Sequence, residues 1–204
     1  MIGIIDYGLG NILAFANVYK RLHVPVAVVR TAAQVREATK LILPGVGAFD
    51  HAMELLNASG MREALDEVVL SNQVPLLGVC VGMQILGKSS DEGRLSGLSW
   101  IDGVVKKIDT TTSGQPVRLP HMGWNDVRPE RESSLFAGLQ TDARFYFLHS
   151  YYFQCAQPQN VLATSDYPGN FACAVQAGSI YGVQFHPEKS HRFGVRLLQN
   201  FAEL

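Results

Sequence analysis

The sequence predicts an α/β domain of three layers, a mainly parallel central sheet flanked by helices with an antiparallel C-terminal extension. Three observations carry that prediction. Short apolar runs alternate with helical patterns through the first half of the chain. Those runs are almost unbroken in Val, Ile and Leu, as strands covered on both faces require. Beyond Trp100 the alternation gives way to period-two texture and turn-rich joints.

Element by element, Ile2–Ile5 is a first strand, closed by the turn Tyr7-Gly8-Leu9-Gly10. Asn11 can cap a helix in which Ile12, Phe15, Ala16 and Tyr19 recur at helical spacing. Val24–Val29 is the next strand, and Thr31 with Gln34 forms a capping box for a short helix. Leu41-Ile42-Leu43 is a third strand, cut by Pro44-Gly45. A long helical stretch follows from Phe49 to Leu70, interrupted around Ser59-Gly60. Pro75–Val79 reads as a buried strand and Val81–Leu86 as the helix after it. From Trp100 to Gln184 the strands, joined at turns such as Thr112-Ser113-Gly114 and Ala177-Gly178-Ser179, extend the same sheet. A last helix starts near Arg192, with Leu197, Leu198, Phe201 and Leu204 on one face. No repeat or dividing linker interrupts 1–204, so one domain is expected.

Composition narrows the function. Among 204 residues, 17 basic and 18 acidic ones leave a formal charge of −1, which supplies no global field for nucleic acid or acidic membranes. Charged residues are only 17% of the chain, well below the roughly 25% of an average one, so part of the surface is expected to meet a partner. The three cysteines form no Cys-x-x-Cys and cannot all pair, which predicts a reducing, cytoplasmic setting. The opening Met-Ile-Gly-Ile-Ile-Asp has no basic leader, and the longest apolar run, Val74–Met83, is too short for a bilayer. Asn57-Ala58-Ser59 matches a glycosylation sequon by accident in such a compartment.

The sharpest local feature is Gly78-Val79-Cys80-Val81-Gly82 at the predicted strand-to-helix junction. It is the thiol counterpart of the G-x-S-x-G nucleophile elbow, where small neighbours permit a tight turn. A helix starting there also sets the thiol at the positive end of a dipole. In isolation the pattern is more often a buried core cysteine. Cys155 and Cys173 lie in strand patterns and read as packing residues.

A thiol nucleophile needs a base. His186 ends the alternating stretch Ile180–Phe185 and is followed by Pro187-Glu188. Residues two apart in an extended segment share a face, so Glu188 can reach the imidazole, and Pro187 holds His186 extended. A carboxylate on one ring nitrogen fixes the tautomer and frees the other nitrogen for the thiol proton. His149, in the aromatic strand Phe145–Tyr151, is the alternative base, although such a histidine is more often structural. His121 has no carboxylate near it in sequence, and His23, His51 and His191 read as surface or helix-end residues. No His-x-x-x-His or cysteine pair suggests a metal, so neither metal nor cofactor is expected.

Glycines just past the third strand, in Leu43-Pro44-Gly45-Val46-Gly47-Ala48-Phe49, let backbone N–H groups face a cleft and stabilise an oxyanion together with the N–H of Val81. The competing dinucleotide loop lacks its third glycine, and no Walker lysine follows.

Taken together, Pro-Gly-Val-Gly, the elbow Gly-Val-Cys-Val-Gly-Met-Gln and the late His-Pro-Glu come in the chain order of triad-type (class I) glutamine amidotransferases, which this sequence resembles. Asp6–Asn11, Leu43–Phe49, Pro120-His121-Met122-Gly123-Trp124-Asn125 and Phe145–Tyr152 extend the resemblance over essentially the whole chain, toward the histidine-biosynthesis branch. Val81 departs from the Leu common after that cysteine, a change that a backbone donor tolerates.

The resemblance implies hydrolysis of glutamine to glutamate and ammonia. It also implies a heterodimer partner, a (β/α)₈-barrel cyclase that uses the ammonia to make imidazole glycerol phosphate and aminoimidazole carboxamide ribonucleotide. Carried over by position, Cys80 is the nucleophile, His186 the proton shuttle and Glu188 its orienting carboxylate. Val46 or Gly47, with Val81, are oxyanion donors, and Gln84, His149, Ser150 and Tyr151 bind substrate. The alternatives are the glutaminase of another synthase, such as that of pyridoxal phosphate, which is not expected to carry His121–Asn125, and a free-standing cysteine amidohydrolase. Trp124, Asn125, Tyr146 and Lys189 are expected at the mouth of the site, facing the cyclase. Trp124 would be an interface anchor and Lys189 a partner for an acidic residue.

Overall fold

A computed structural model describes residues 1–111 and 117–204. The Thr112-Ser113-Gly114 turn therefore lies outside the described residues. The first half alternates as expected: β1 (Ile2–Ile5), α1 (Ile12–Arg21), β2 (Val26–Val29), α2 (Ala32–Glu37), β3 (Lys40–Gly45), α3 (Phe49–Ala58), α4 (Arg62–Asp66), β4 (Leu76–Cys80) and α5 (Val81–Gln84). Strands β5 (Gly103–Lys107), β6 (His121–Asp126), β7 (Arg128–Pro129), β8 (Arg144–His149), β9 (Tyr151–Cys155), β10 (Val161–Asp166), β11 (Asn170–Ala177) and β12 (Ile180–Val183) follow, and α6 (His191–Glu203) is the last helix.

The main sheet has eight strands in the order β2-β1-β3-β4-β12-β11-β10-β7. Pairing is parallel from β2 to β12 and antiparallel from β12 to β7. The order turns back between β1 and β3. Right-handed crossovers then send α1 to one face and α2 to the other. Packing agrees: Tyr19 of α1 donates its hydroxyl to Leu198 O of α6, while Arg36 of α2 pairs with Glu67 beyond α4. Open sheets of this kind hold their site at the carboxyl ends of the strands by the reversal, and here it is displaced by one strand, to the ends of β3, β4 and β12.

Several local expectations are corrected. The second-half strands do not all join one sheet, because β5–β9 and β6–β8 form separate antiparallel ladders. Pro44 does not cut its strand. Pairing of β3 with β1 ends at Ile42, so the N–H that proline lacks is not needed on that side. Asn11 makes no side-chain cap, and Gln34 reaches back to the N–H of Arg30 instead of that of Thr31. The helix after Cys80 is a single turn, too short for much of a dipole. Leu204 is 37% exposed, since the chain end lies past the last packed turn. The break at Ser59-Gly60 stands as read.

Candidate active site

Three strand ends meet at the site. In the parallel register Gly45 of β3 is opposite Cys80 of β4, and Val183 of β12 is opposite Val79. The chain leaving β3 carries Val46 and Gly47, and the chain leaving β12 carries Gln184 to Glu188. Cys80 lies between them with φ 56° and ψ −114°, a conformation that is strained for any residue with a side chain. Glycine at 82 makes the turn possible, because a Cβ there would collide with the carbonyl oxygen of Leu43. The sequence pattern of an elbow is thus a geometric elbow.

His186 follows β12 in an extended conformation, as Pro187 requires. Its main chain is anchored on both sides. Its N–H donates to Tyr146 O (2.9 Å), and the Ser190 hydroxyl donates to its carbonyl (2.6 Å) while accepting the N–H of Tyr146 (3.0 Å). Glu188 does not share an extended face with it, since Pro187–Lys189 is a 3₁₀ turn. The turn still brings Oε1 of Glu188 to 2.9 Å from Nδ1 of His186, with both side chains almost wholly buried. Nδ1–H donates to the carboxylate, so Nε2 is the nitrogen free for the thiol. Burial alone would depress the imidazolium, but hydrogen bonds to Cys80 and Glu188 and attraction to both raise it to about 10. Imidazole and carboxylate are directly hydrogen-bonded, and the sulfur lies at the same cavity as the ring.

A cavity of about 310 Å³ opens over Cys80, at the small end of the roughly 300–1,000 Å³ of ligand sites and suited to an amino acid. Val46, Gly47, Val81, Gln84, His149, Ser150, Tyr151, His186 and Lys189 line it with Cys80. Every predicted oxyanion, substrate and triad residue is therefore at this cavity, except that Glu188 sits behind His186. Tyr7, whose hydroxyl donates to Pro44 O (2.9 Å), braces the loop after β3.

Sequence reasoning missed Glu92. It lines the cavity, and its Oε2 accepts the N–H of Phe49 (2.9 Å) at the start of α3. In return Asp50 accepts the N–H groups of Arg94 (2.8 Å) and Leu95 (3.0 Å). This clasp fixes a loop whose sequence, Ser89-Ser90-Asp91-Glu92-Gly93, carries no motif. Only the fold marks it.

Two other histidines, His121 and His149, are buried in a hydrogen-bonded network. His149 donates from Nδ1 to Tyr151 O (2.8 Å), and its Nε2 lies 3.0 Å from Nδ1 of His121. Burial pushes His149 down to about 3, and burial pushes His121 to about 4, so both are neutral. Both ring nitrogens of each are engaged by neighbouring groups. Of the four residues expected at a partner face, Trp124 is 40% exposed and stacks on His191 (5.4 Å between ring centres), and Lys189 lies over the Tyr146 ring. Asn125 is committed inward: its amide donates to Asp166 O (2.9 Å) and reaches Nε2 of His121 (3.3 Å). No helix among the described residues is long and apolar enough to cross a membrane.

Comparison with known proteins agrees with this geometry. The family model for class-I glutamine amidotransferases matches residues 3–204. The Imidazole glycerol phosphate synthase subunit HisH of Bdellovibrio bacteriovorus is 60% identical over 204 residues, covering 100% of both chains. That of Leptospira interrogans is 52% identical with the same coverage. Among solved structures, a glutamine amidotransferase superposes with TM-score 0.72 at 19% identity, over 100% of this chain and 99% of that one. Another, from Thermotoga maritima, gives 0.66 at 16%, over 99% and 82%. Those two likenesses speak for the fold. An α/β sheet with a cysteine elbow and a Cys-His-Glu set is that of a class-I glutamine amidotransferase. Within that class the chain belongs to the HisH glutaminase subunits of imidazole glycerol phosphate synthase, which serve histidine biosynthesis.

Proposed function

We propose that Cys80, His186 and Glu188 carry out the glutamine hydrolysis of this glutaminase, in one domain spanning 1–204. The Sγ of Cys80 attacks the side-chain amide carbon of glutamine, and the carbonyl oxygen takes the charge. Backbone N–H groups of Val46 or Gly47 with Val81 stabilise that oxyanion. The His186 imidazolium gives its Nε2 proton to the leaving nitrogen, ammonia departs and a thioester remains. Water then attacks the thioester with His186 as base, releasing glutamate and restoring the thiol. Glu188 holds the ring and stabilises its positive form throughout. Glu92 offers a carboxylate to the ammonium of the substrate, and Gln84 with the backbone of His149, Ser150 and Tyr151 completes its seat.

The observation that carries this proposal is the placement of His186 between a strained Cys80 and a buried Glu188. Ammonia is passed to a cyclase subunit of the (β/α)₈-barrel type, seated over Lys189 at the cavity edge and over Tyr146 and Trp124, which adjoin it outside the cavity lining, and both work in the cytoplasm. Asn125 supports that face from within.

The test is synthesis of imidazole glycerol phosphate by the reconstituted complex. Cys80→Ala should abolish the glutamine-dependent reaction and leave the ammonia-dependent one intact. Equal loss with both nitrogen sources would refute the assignment.

A further inference from the structure

Gln184 belongs to none of the roles above, yet it is wholly buried against the nucleophile. Because Val183 pairs with Val79, the next residue of the β12 chain falls beside Cys80. There its side-chain Nε2 approaches Sγ at 3.8 Å, within N–H···S range. An amide can turn either nitrogen or oxygen to a neighbour, so the partners must decide its orientation.

They do. Oε1 of Gln184 accepts from Nε2 of Gln84 at 3.1 Å, and the same Nε2 donates to Tyr151 O at 3.3 Å. A backbone carbonyl can only accept. Gln84 must therefore present its NH₂ to Tyr151 O and to Gln184, which forces Gln184 to present its own NH₂ to sulfur. The carbonyl of Tyr151 is itself fixed by His149, whose Nδ1–H also donates to it. Reversing Gln184 would set NH₂ against NH₂ at one end and oxygen against sulfur at the other.

We propose that Gln184 is a positioning residue for the nucleophile, its amide locked by Gln84 so that an N–H is always directed at the Sγ of Cys80. It does not touch the substrate. Its donor holds the sulfur and favours the charged thiolate over the thiol, since hydrogen bonds to ions are roughly twice as strong as neutral ones. This inference rests on the assignment of Cys80 as nucleophile. The two can fail separately, because Cys80→Ser tests the nucleophile and the experiment below tests the amide.

The experiment follows alkylation of Cys80 by iodoacetamide from pH 5 to 10, with the labelled peptide identified by mass and the melting temperature recorded. Gln184→Met removes the donor at similar volume. Its alkylation midpoint should move up by about one pH unit, with roughly a tenfold slower rate on the acid side of the midpoint. Glutaminase kcat in the cyclase complex should fall with KM little changed. Gln184→Glu, nearly isosteric, puts a carboxylate at the sulfur and should move the midpoint at least as far, which keeps the proposal testable if the methionine variant folds poorly. Gln84→Met, which unlocks the amide, should give a smaller shift in the same direction. A folded Gln184→Met or Gln184→Glu with the parent alkylation profile overturns the proposal, and so does a loss of rate without a shift in midpoint.

Discussion

Glu188 holds His186 with one carboxylate oxygen, Oε1 at 2.9 Å from Nδ1, while its equally buried Oε2 has no hydrogen-bond partner among the described residues. The attachment is therefore single. Replacing Glu188 by Gln keeps an acceptor for Nδ1–H and removes the charge. Glutaminase kcat/KM should fall about 10²-fold for Glu188→Gln and about 10⁴-fold for His186→Ala, the span of general acid–base catalysis. The double variant should match His186→Ala alone, because groups acting as a unit lose their contribution together. Steady-state assays of the three complexes decide it, and additive losses would place Glu188 in another role.

Stability should fall on both sides of neutrality, for opposite reasons. The proton on His186 is held more tightly folded than unfolded, so its contribution is full below pH 6.5 and is lost as pH rises toward about 10. His121 and His149 are depressed to about 4 and about 3, so folding is favoured above pH 6.5 and weakens as pH falls toward those values. Melting temperatures from pH 4 to 9.5 should show both limbs. His186→Ala should flatten the alkaline limb only, and an unchanged alkaline limb would refute the account.

Two glycines near the nucleophile should respond unequally to alanine. At Gly82 a Cβ meets the backbone of Leu43, which cannot yield without opening the junction of β3 with α5. At Gly47 a Cβ meets nothing within 4 Å, and only its φ of +87° opposes a side chain. Chemical denaturation should give a loss of about 1–2 kcal/mol for Gly47→Ala, the cost of a left-handed residue. Gly82→Ala should lose more than about 4 kcal/mol or yield no folded protein.

Thiol labelling should single out Cys80. Burial raises Cys155 to about 11 and Cys173 well above the ordinary thiol value, whereas Cys80 lines the cavity. Brief treatment of the native chain with iodoacetamide at pH 7.5, followed by peptide mapping, should modify Cys80 first. Comparable early labelling of Cys155 would contradict the burial pattern.

Trp124 should matter to association and little to folding. Its ring is 40% exposed and rests on His191. Trp124→Ala should weaken binding to the cyclase by about 2 kcal/mol, a typical anchor effect, measured by calorimetric titration. The melting temperature of the free chain should change by no more than a few degrees. Unaltered affinity would move the interface elsewhere.

The elbow and the histidine–carboxylate pair were legible because each is local. Gly78, Cys80 and Gly82 sit within five residues, and His186 and Glu188 are two apart. The parallel core was legible from its apolar runs. What escaped depends on register and distant contact. Gln184 meets Cys80 only because β12 lies beside β4, and His121 meets His149 only as a cross-strand pair of β6 and β8. Glu92 is one acid in a polar loop, and the clasp to α3 that gives it a place has no sequence period. The reach of Glu188 to His186 was anticipated, but through an extended segment where the chain makes a 3₁₀ turn.

The position of β12 has a consequence in time. It is the last strand of the chain, yet it is inserted between β4 and β11 near the middle of the sheet. A chain emerging from the ribosome folds from its N-terminal end, so β4 and its cysteine are made about a hundred residues before their neighbour. Until Ile180–Val183 arrives, β4 has a partner on one side only, and the base and its carboxylate have not been made. A polypeptide released early carries a thiol without a proton acceptor and a raw strand edge open to aggregation.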